Sequence, residues 1–142
     1  MENQSKDIIF LVKQLNKALT LDFNARLNDY GITFPQGIIL FQVCRCYKDN
    51  IEVHQCDLEK HANLSKSSVS EIITRMEKID LVKRVVNKGG TLIVPTEKGI
   101  DIVTNVRLSR ESLMKTLTNG ISEDTVKLLE INLQTMIDNI SK

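Results

Sequence analysis

Residues 55–70 read QCDLEKHANLSKSSVS, and this stretch decides the fold. Its first half predicts a short helix over residues 54–61. Asn63 tolerates the left-handed backbone that a tight turn requires, and Ser65 is suited to cap a following helix. The stretch therefore predicts two short helices joined by a tight turn.

The residues that follow predict the second of these helices and then a β-hairpin. A stripe of apolar side chains at helical spacing is expected to be buried, namely Val69, Ile72, Ile73, Met76 and Ile79. Two β-rich runs, 81–86 and 91–94, flank residues 87–90, whose sequence Asn-Lys-Gly-Gly is typical of a hairpin turn. Helix, tight turn, helix and hairpin in this order predict a winged helix-turn-helix unit.

Amphipathic helices are predicted on both sides of this unit. Apolar residues recur every three or four positions over residues 5–30, and again over 97–117 and 122–140. A further helix is expected to start after Thr33 as its cap, with Pro35 in its first turn, and to end near Tyr47. The predicted fold class is mainly α with a small β-hairpin wing.

A single domain over residues 1–142 accommodates these elements. The helix-turn-helix and wing region spans about 34–96, and residues 5–30 and 97–141 are interpreted as dimerisation helices. Their apolar stripes exceed what the small winged unit can cover, which favours a homodimer over packing within one chain. Packing among these helices within one chain is the alternative.

Composition narrows the class of protein further. The 142 residues carry 19 Lys and Arg against 18 Asp and Glu, so the net charge is only +1. No apolar run approaches the roughly 18 to 20 residues of a membrane span, and the N-terminus lacks a secretory signal. Three cysteines, an odd number, argue against a disulfide framework. These features predict a cytoplasmic protein with no membrane partner.

Residues 55–70 resemble the helix-turn-helix of MarR-type bacterial transcription regulators. That family commonly shows Q-x-x-L-A-x-x-L-x-[LV]-S-[KR]-[SP]-[ST]-V-[ST], and the similarity continues through 71–78, 81–84 and Thr96-Glu97-Lys98-Gly99. The resemblance implies a dimeric repressor that binds a pseudo-palindromic operator in double-stranded DNA. It also implies release by a small-molecule or stress signal, with a ligand pocket between the first, second and fifth helices.

One part of the chain departs from the family pattern. The family wing usually carries D-x-R, whose arginine commonly reaches the minor groove. Here Asn87 and Gly89 stand at those two positions, and Lys88 is the nearest cation. Since lysine makes a less defined contact than arginine, the wing is expected to contribute less to affinity.

The expected DNA-binding residues lie opposite the buried stripe of the second short helix and on the wing. Early residues of such a helix meet base edges, and hydroxyl groups there can donate or accept hydrogen bonds. Between residues 66 and 88, Lys and Arg exceed Asp and Glu by three. Phosphate and wing contacts are assigned to Arg75, Lys78, Lys83, Arg84 and Lys88. The full set is Ser65, Lys66, Ser67, Ser68, Ser70, Glu71, Thr74, Arg75, Lys78, Lys83, Arg84 and Lys88.

Three other interpretations of the chain stay open. A winged helix also serves as a protein-interaction adaptor that does not bind specific DNA. Cys44 and Cys46 are possible redox residues of a thiol sensor, provided that a nearby cation stabilises a thiolate. A metal sensor is the third interpretation, since His54 and His61 lie on either side of Cys56 in the sequence. The side chains of Cys56, Leu58 and Ala62 are expected to face the core.

The sequence gives no positive signal for catalysis. It contains no nucleophile elbow, Gly-rich phosphate loop or metal-ligand pair, and the hairpin turn sufficiently explains the adjacent glycines at 89 and 90. We therefore expect no enzymatic activity, no cofactor and no metal site.

Overall fold

A computed structural model describes residues 6–141 of the chain. It contains two compact units, the first ending at Val106 and the second beginning at Arg107. The expected start of the first helix, near residue 5, lies outside the described residues. The single domain over 1–142 stays a prediction.

The described residues form six α-helices and one two-stranded antiparallel sheet. This confirms the mainly α fold class with a small hairpin that the sequence predicts. In chain order the elements are α1 (Ile8–Asn28), α2 (Phe34–Lys48), α3 (Gln55–Ala62), α4 (Lys66–Lys78), β1 (Val82–Asn87), β2 (Gly90–Pro95), α5 (Glu97–Leu117) and α6 (Glu123–Ile140).

Side-chain caps begin the helices where the sequence predicts them. Thr33 Oγ1 accepts a hydrogen bond from the Gln36 N–H at 3.4 Å, and Gln36 Oε1 accepts one from the Thr33 N–H at 3.0 Å. Ser65 Oγ accepts from the Ser68 N–H at 3.2 Å, and Ser122 caps α6 in the same way. Each cap satisfies a backbone donor that the first helical turn leaves without a partner.

The turn between α3 and α4 is as tight as the sequence predicts. Asn63 adopts the left-handed conformation, with φ 53° and ψ 46°. The next N–H, of Leu64, donates to the Glu59 carbonyl at 3.2 Å. Asn tolerates this conformation better than most residues, so the turn costs little strain.

The hairpin pairs β1 with β2 from Val82 opposite Pro95 to Asn87 opposite Gly90. Lys88 and Gly89 form the connection, within the turn that the sequence predicts, and Gly90 has a positive φ of 118°. The backbone just before α3 bonds to the hairpin, because the Ile93 N–H of β2 donates to the Val53 carbonyl at 2.8 Å. The wing is therefore tied to the chain that leads into the helix-turn-helix.

The core of the first unit fixes the orientation of α4. Three α4 side chains, Val69, Ile73 and Met76, are fully buried, together with Leu58 of α3 and Leu40 of α2. Burying side chains of this size contributes roughly 1.5–3 kcal/mol each. Since one side of α4 is committed to the core, its opposite side is held toward solvent.

Thr96 and Gly99 anchor the start of α5 behind the hairpin. Thr96 is buried, and its hydroxyl donates to the Asp80 carbonyl and accepts from the Gly99 N–H at 3.1 Å. A Cβ atom on Gly99 would lie 2.3 Å from the Leu81 carbonyl oxygen. Only glycine allows this close approach, which explains the Thr-Glu-Lys-Gly sequence at this point.

Four side chains are less buried than the sequence predicts, and one of them is the half-buried Ile72. Cys56 is exposed, because it lies two residues, and so about 200° around the helix, from the fully buried Leu58. Ala62 is half-buried. Ile79 is 38% exposed, because α4 ends at Lys78 and Ile79 follows as the C-terminal cap rather than continuing the buried stripe.

Candidate nucleic-acid interface

The predicted DNA-facing residues of α4 lie on one exposed side of the helix. Ser67, Glu71, Thr74, Arg75 and Lys78 are exposed, and Ser68 and Ser70 are half-buried. A residue advances about 100° around a helix, so positions 67, 71, 74 and 78 form one line along its length. The structure thus brings these predicted residues together on a single surface.

Serine hydroxyls at the N-terminus of α4 bond to one another. Ser65 Oγ accepts from the Ser68 N–H and donates to Ser68 Oγ at 2.8 Å. The distance from Ser65 Oγ to Ser67 Oγ is 3.3 Å. The hydroxyl proton of Ser65 is therefore used within the cap. Ser65 and Ser67 are both exposed, whereas Ser68 is half-buried, and Ser65 acts as the structural cap.

Gln55 joins α3 to this end of α4. Its side-chain amide donates to the Lys66 carbonyl at 3.5 Å. An open cleft of about 520 Å³ lies here, lined by Gln55, Ser65, Lys66, Ser67 and Ser70. Gln55 was not predicted from the sequence, because it begins α3 at the end away from the turn and reaches Lys66 only through the packing of α3 against α4.

Arg84 does not point toward solvent as the assignment to phosphate requires. Its side chain is only 23% exposed, and its guanidinium donates to Glu77 Oε1, to Thr74 Oγ1 at 3.0 Å and to the Ser70 carbonyl at 2.9 Å. A weaker contact reaches Ser70 Oγ at 3.3 Å. In the free chain the donors of Arg84 are therefore directed into α4 rather than toward a ligand, and its assignment as a phosphate contact stays a prediction.

Strand alternation is the physical reason for this difference. Arg84 stands opposite the buried Ile93 and two residues after the buried Val82, so its side chain leaves the same face of the hairpin. Lys83, one residue earlier, leaves the other face and is exposed. The run from Val82 reads VKRVVN and does not alternate between apolar and polar residues, so it carries no sequence signal for the face of Arg84, and its partner Glu77 was not predicted.

Arg75 makes a different kind of ion pair. Its guanidinium lies 2.6 Å from Glu71 Oε1, one helical turn earlier, with side-chain exposures of 67% and 63%. Exposed pairs of this kind contribute only about 0.3–0.5 kcal/mol. Arg75 is therefore able to exchange Glu71 for a phosphate at little cost.

Four exposed lysines surround the exposed side of α4. No ion pair within residues 6–141 involves any of the four, which are Lys66, Lys78, Lys83 and Lys88. Because Arg75 and Arg84 are each paired with a glutamate, the positive charge available to a ligand comes mainly from these lysines.

The wing tip is small and carries a single cation. Asn87 Oδ1 accepts from the Gly89 N–H at 2.9 Å and so stabilises the turn, with Lys88 exposed at the tip. His54 lies beneath it, since a Cβ atom on Gly89 would be 3.5 Å from His54 Nε2. The histidine thus packs against the wing.

The cysteine and histidine hypotheses gain little from the geometry. Cys44 and Cys46 are both buried in the core, surroundings that are typical of inert structural cysteines rather than reactive ones. Within the described part of the chain, no cluster of three or more His, Cys, Asp or Glu side chains is arranged to hold a metal ion.

A separate open cleft of about 730 Å³ lies behind the wing. It is bordered by Tyr30 after α1, by the base of the hairpin and by the first turns of α5. The lining of the cleft is polar and apolar, with Lys83, Asp101 and Asn105 beside Pro95 and Ile102.

Over residues 6–141, no helix has the combination of length and apolar character that spanning a bilayer demands.

A short helix, a tight turn, a second helix with one exposed side and a hairpin define a winged helix-turn-helix protein. Solved structures of the same architecture belong to MarR-type transcription regulators. The chain therefore has the MarR-type winged-helix fold, and the resemblance in its sequence is confirmed at the level of the fold.

Three solved structures illustrate this similarity. Staphylococcus aureus MepR, a transcription regulator of the multidrug efflux pump MepA, matches with a TM-score of 0.81 at 21% identity, over 94% of this chain and 98% of MepR. A MarR family protein from Bacillus stearothermophilus matches with 0.80 at 22% identity, over 100% and 99% of the two chains. The regulator MarR from Oenococcus oeni matches with 0.66 at 26% identity, over 93% and 99%.

Comparisons of the sequence itself give less. No protein-family model matches the chain, and no curated protein matches it.

Proposed function

We propose that this chain is a transcription regulator that binds specific sequences in double-stranded DNA. The observation that carries the proposal is the two-sided character of α4. Val69, Ile73 and Met76 fix one side in the core, while the other side presents Ser67 and Thr74 to solvent. A helix held in this way suits the major groove, where short hydroxyl side chains approach base edges closely.

Charge around α4 supports duplex DNA as the ligand. The lysines at positions 66, 78, 83 and 88 are exposed and spread over α4 and the wing, as contacts to successive phosphates require. One of the structural neighbours, S. aureus MepR, has also been solved as a complex with DNA.

The proposal includes a homodimer that reads a pseudo-palindromic operator. At the start of α1, Ile8, Ile9 and Leu11 are 50–66% exposed. In α6 no side chain is buried, and Leu129, Leu133 and Ile137, which share one stripe of the helix, are 42–54% exposed. Apolar surface of this extent is typical of an interface, and a second copy of the chain supplies a matching surface to each helix.

A repressor released by a small molecule is the finer form of the proposal. MepR has been solved bound to ethidium bromide, and the neighbour PefR from Streptococcus agalactiae with heme. In this chain the cleft bordered by Tyr30 and α5 lies at the base of the wing. A small molecule bound there is suited to alter the spacing between the α4 helices of the two protomers. Regulation of this kind implies action in the cytoplasm.

Selection of bound sequences from random duplex DNA tests the proposal most directly. We expect enrichment of one inverted-repeat motif, and an affinity for it that falls steeply with salt because lysines displace counterions from phosphates. Equal and weak binding to every duplex would instead favour the protein-interaction adaptor.

A further inference from the structure

The hydrogen bonds of Arg84 restrict what Thr74 can offer to a ligand. A threonine hydroxyl has one proton to donate and two lone pairs to accept with. Thr74 Oγ1 donates its proton to the Ser70 carbonyl at 2.9 Å, because a carbonyl oxygen only accepts. It also accepts from Arg84 Nη1 at 3.0 Å, because a guanidinium only donates. Arg84 Nη1 excludes the hydroxyl proton from its own side of Oγ1 and so favours donation to the Ser70 carbonyl, which leaves Thr74 one lone pair with which to accept from a ligand.

The arginine is well held in this arrangement. Its guanidinium also bonds Glu77 and the Ser70 carbonyl, and its backbone N–H donates to Glu77 Oε2 at 3.4 Å. Charge-assisted bonds of this kind are stronger than neutral ones and fix the guanidinium plane. The side chain is 23% exposed, whereas Thr74 itself is exposed on the line of residues that includes Ser67 and Glu71.

Base edges in the major groove differ in which groups they present. Adenine and cytosine present an exocyclic amino donor, at N6 and N4, while guanine and thymine present the acceptors O6 and O4 at the corresponding place. An acceptor-only hydroxyl pairs with the amino groups and is repelled by the carbonyl oxygens.

We propose that Arg84 is a positioning residue that makes Thr74 a selective acceptor for the exocyclic amino group of adenine or cytosine. This inference rests on the proposed function. It assigns to Thr74 a preference for adenine or cytosine over guanine or thymine, at one base of each half-site, and it gives Arg84 no phosphate contact.

The test uses the full chain and the sequence that wild type selects from random duplex. Each half-site base is then replaced by the other three, and affinities are measured for wild type, Thr74→Ser, Thr74→Val and Arg84→Met. At one base we expect wild type and Thr74→Ser to prefer adenine or cytosine about fivefold, the size of one hydrogen bond. Thr74→Val and Arg84→Met should lose that preference at that base alone.

Lys83→Ala is the matched control, because Lys83 precedes Arg84 and points to solvent. It should keep the base preference and reduce the slope of log affinity against log salt by about one. Arg84→Met should leave that slope unchanged. A slope reduced by Arg84→Met as much as by Lys83→Ala would overturn the assignment, since Arg84 would then be bonding phosphate.

The experiment distinguishes failure of the proposed function from failure of the inference about Thr74 and Arg84. If wild type selects no motif, the proposed function fails and the inference with it. If wild type selects a motif but Thr74→Val binds every variant as wild type does, only the inference fails. Should Arg84→Met not fold, the pair Thr74→Ser and Thr74→Val still decides the base preference, because Thr74 is exposed and neither change removes the bond between Arg84 and Glu77.

Discussion

Two adjacent residues with the same charge, Lys83 and Arg84, have opposite roles in this structure. The pleat of β1 sends Lys83 to solvent and Arg84 toward α4, where Glu77 and the Ser70 carbonyl bind it. Composition and local net charge treat the two residues as equal. Only the face of the strand separates the exposed lysine from the internally bonded arginine.

Replacing Arg84 by Met should therefore destabilise the fold, and replacing Lys83 by Met should not. Arg84→Met leaves Glu77 without its cation and removes several hydrogen bonds, for an expected loss of about 1–3 kcal/mol in the free energy of unfolding. Lys83→Met should stay within roughly 0.5 kcal/mol of wild type. Urea unfolding followed by circular dichroism measures both, and equal stabilities of the two variants would contradict the buried role.

Gly99 gives a second prediction at the residue scale. A Cβ atom in Gly99→Ala would meet the Leu81 carbonyl oxygen at 2.3 Å, so either α5 or the segment between α4 and β1 must shift. Overpacking of this kind costs typically about 1–3 kcal/mol. The control is Gly37→Ala, whose nearest contact is the flexible end of the Leu27 side chain at 2.7 Å. Thermal unfolding should show the larger loss for Gly99→Ala, and the reverse order would show that the anchor at Thr96 and Gly99 is not rigid.

At the scale of elements, the caps and turns follow from local sequence, and the packing of side chains between elements does not. Ser65, Asn63 and the turn at residues 87–90 act through neighbours within a few residues, so their roles are visible in the sequence. The bond from Arg84 to Ser70 joins residues 14 apart, and the sequence places no constraint on which face of β1 meets α4 until the register is known.

Ser65 and Ser67 separate helix capping from recognition on α4. Ser65→Ala removes the cap that bonds the Ser68 N–H and should cost about 1 kcal/mol of stability. Ser67→Ala changes an exposed side chain and should leave stability unchanged while altering DNA sequence preference. Denaturant unfolding and binding to the selected operator should be measured on both variants. A Ser65→Ala variant as stable as wild type would contradict the capping role.

At the scale of the whole molecule, α1 and α6 show that a helix can be predicted correctly while the burial of its apolar side chains within one chain is not. The stripes of α1 and α6 have the spacing of buried faces, yet Ile8 is 58% exposed and Leu133 is 42% exposed in the single chain. An apolar stripe in the sequence indicates that one face of a helix is to be buried. It does not indicate whether the same chain or a second chain buries that face. The proposed homodimer would resolve this, because a partner copy would cover the same surfaces.

Leu133→Glu tests the dimer and its link to DNA binding together. Leu133 lies in the apolar stripe of α6, and burying a glutamate there without a partner is strongly unfavourable. We expect sedimentation at micromolar concentration to give a dimer for wild type and a monomer for the variant. Because two linked half-site contacts exceed one by roughly 10²–10⁴ in avidity, operator affinity should fall at least a hundredfold.

Gln134→Glu is the matched control for this experiment, since it adds the same charge one residue further on. Gln134 bonds Asp138 on the polar side of α6, so the added carboxylate stays in water and costs only a few tenths of a kcal/mol by repulsion. The control should remain a dimer and bind the operator as wild type does. If Leu133→Glu also sediments as a dimer with full operator affinity, α6 is not part of the interface, and its exposed stripe must be covered by a different partner.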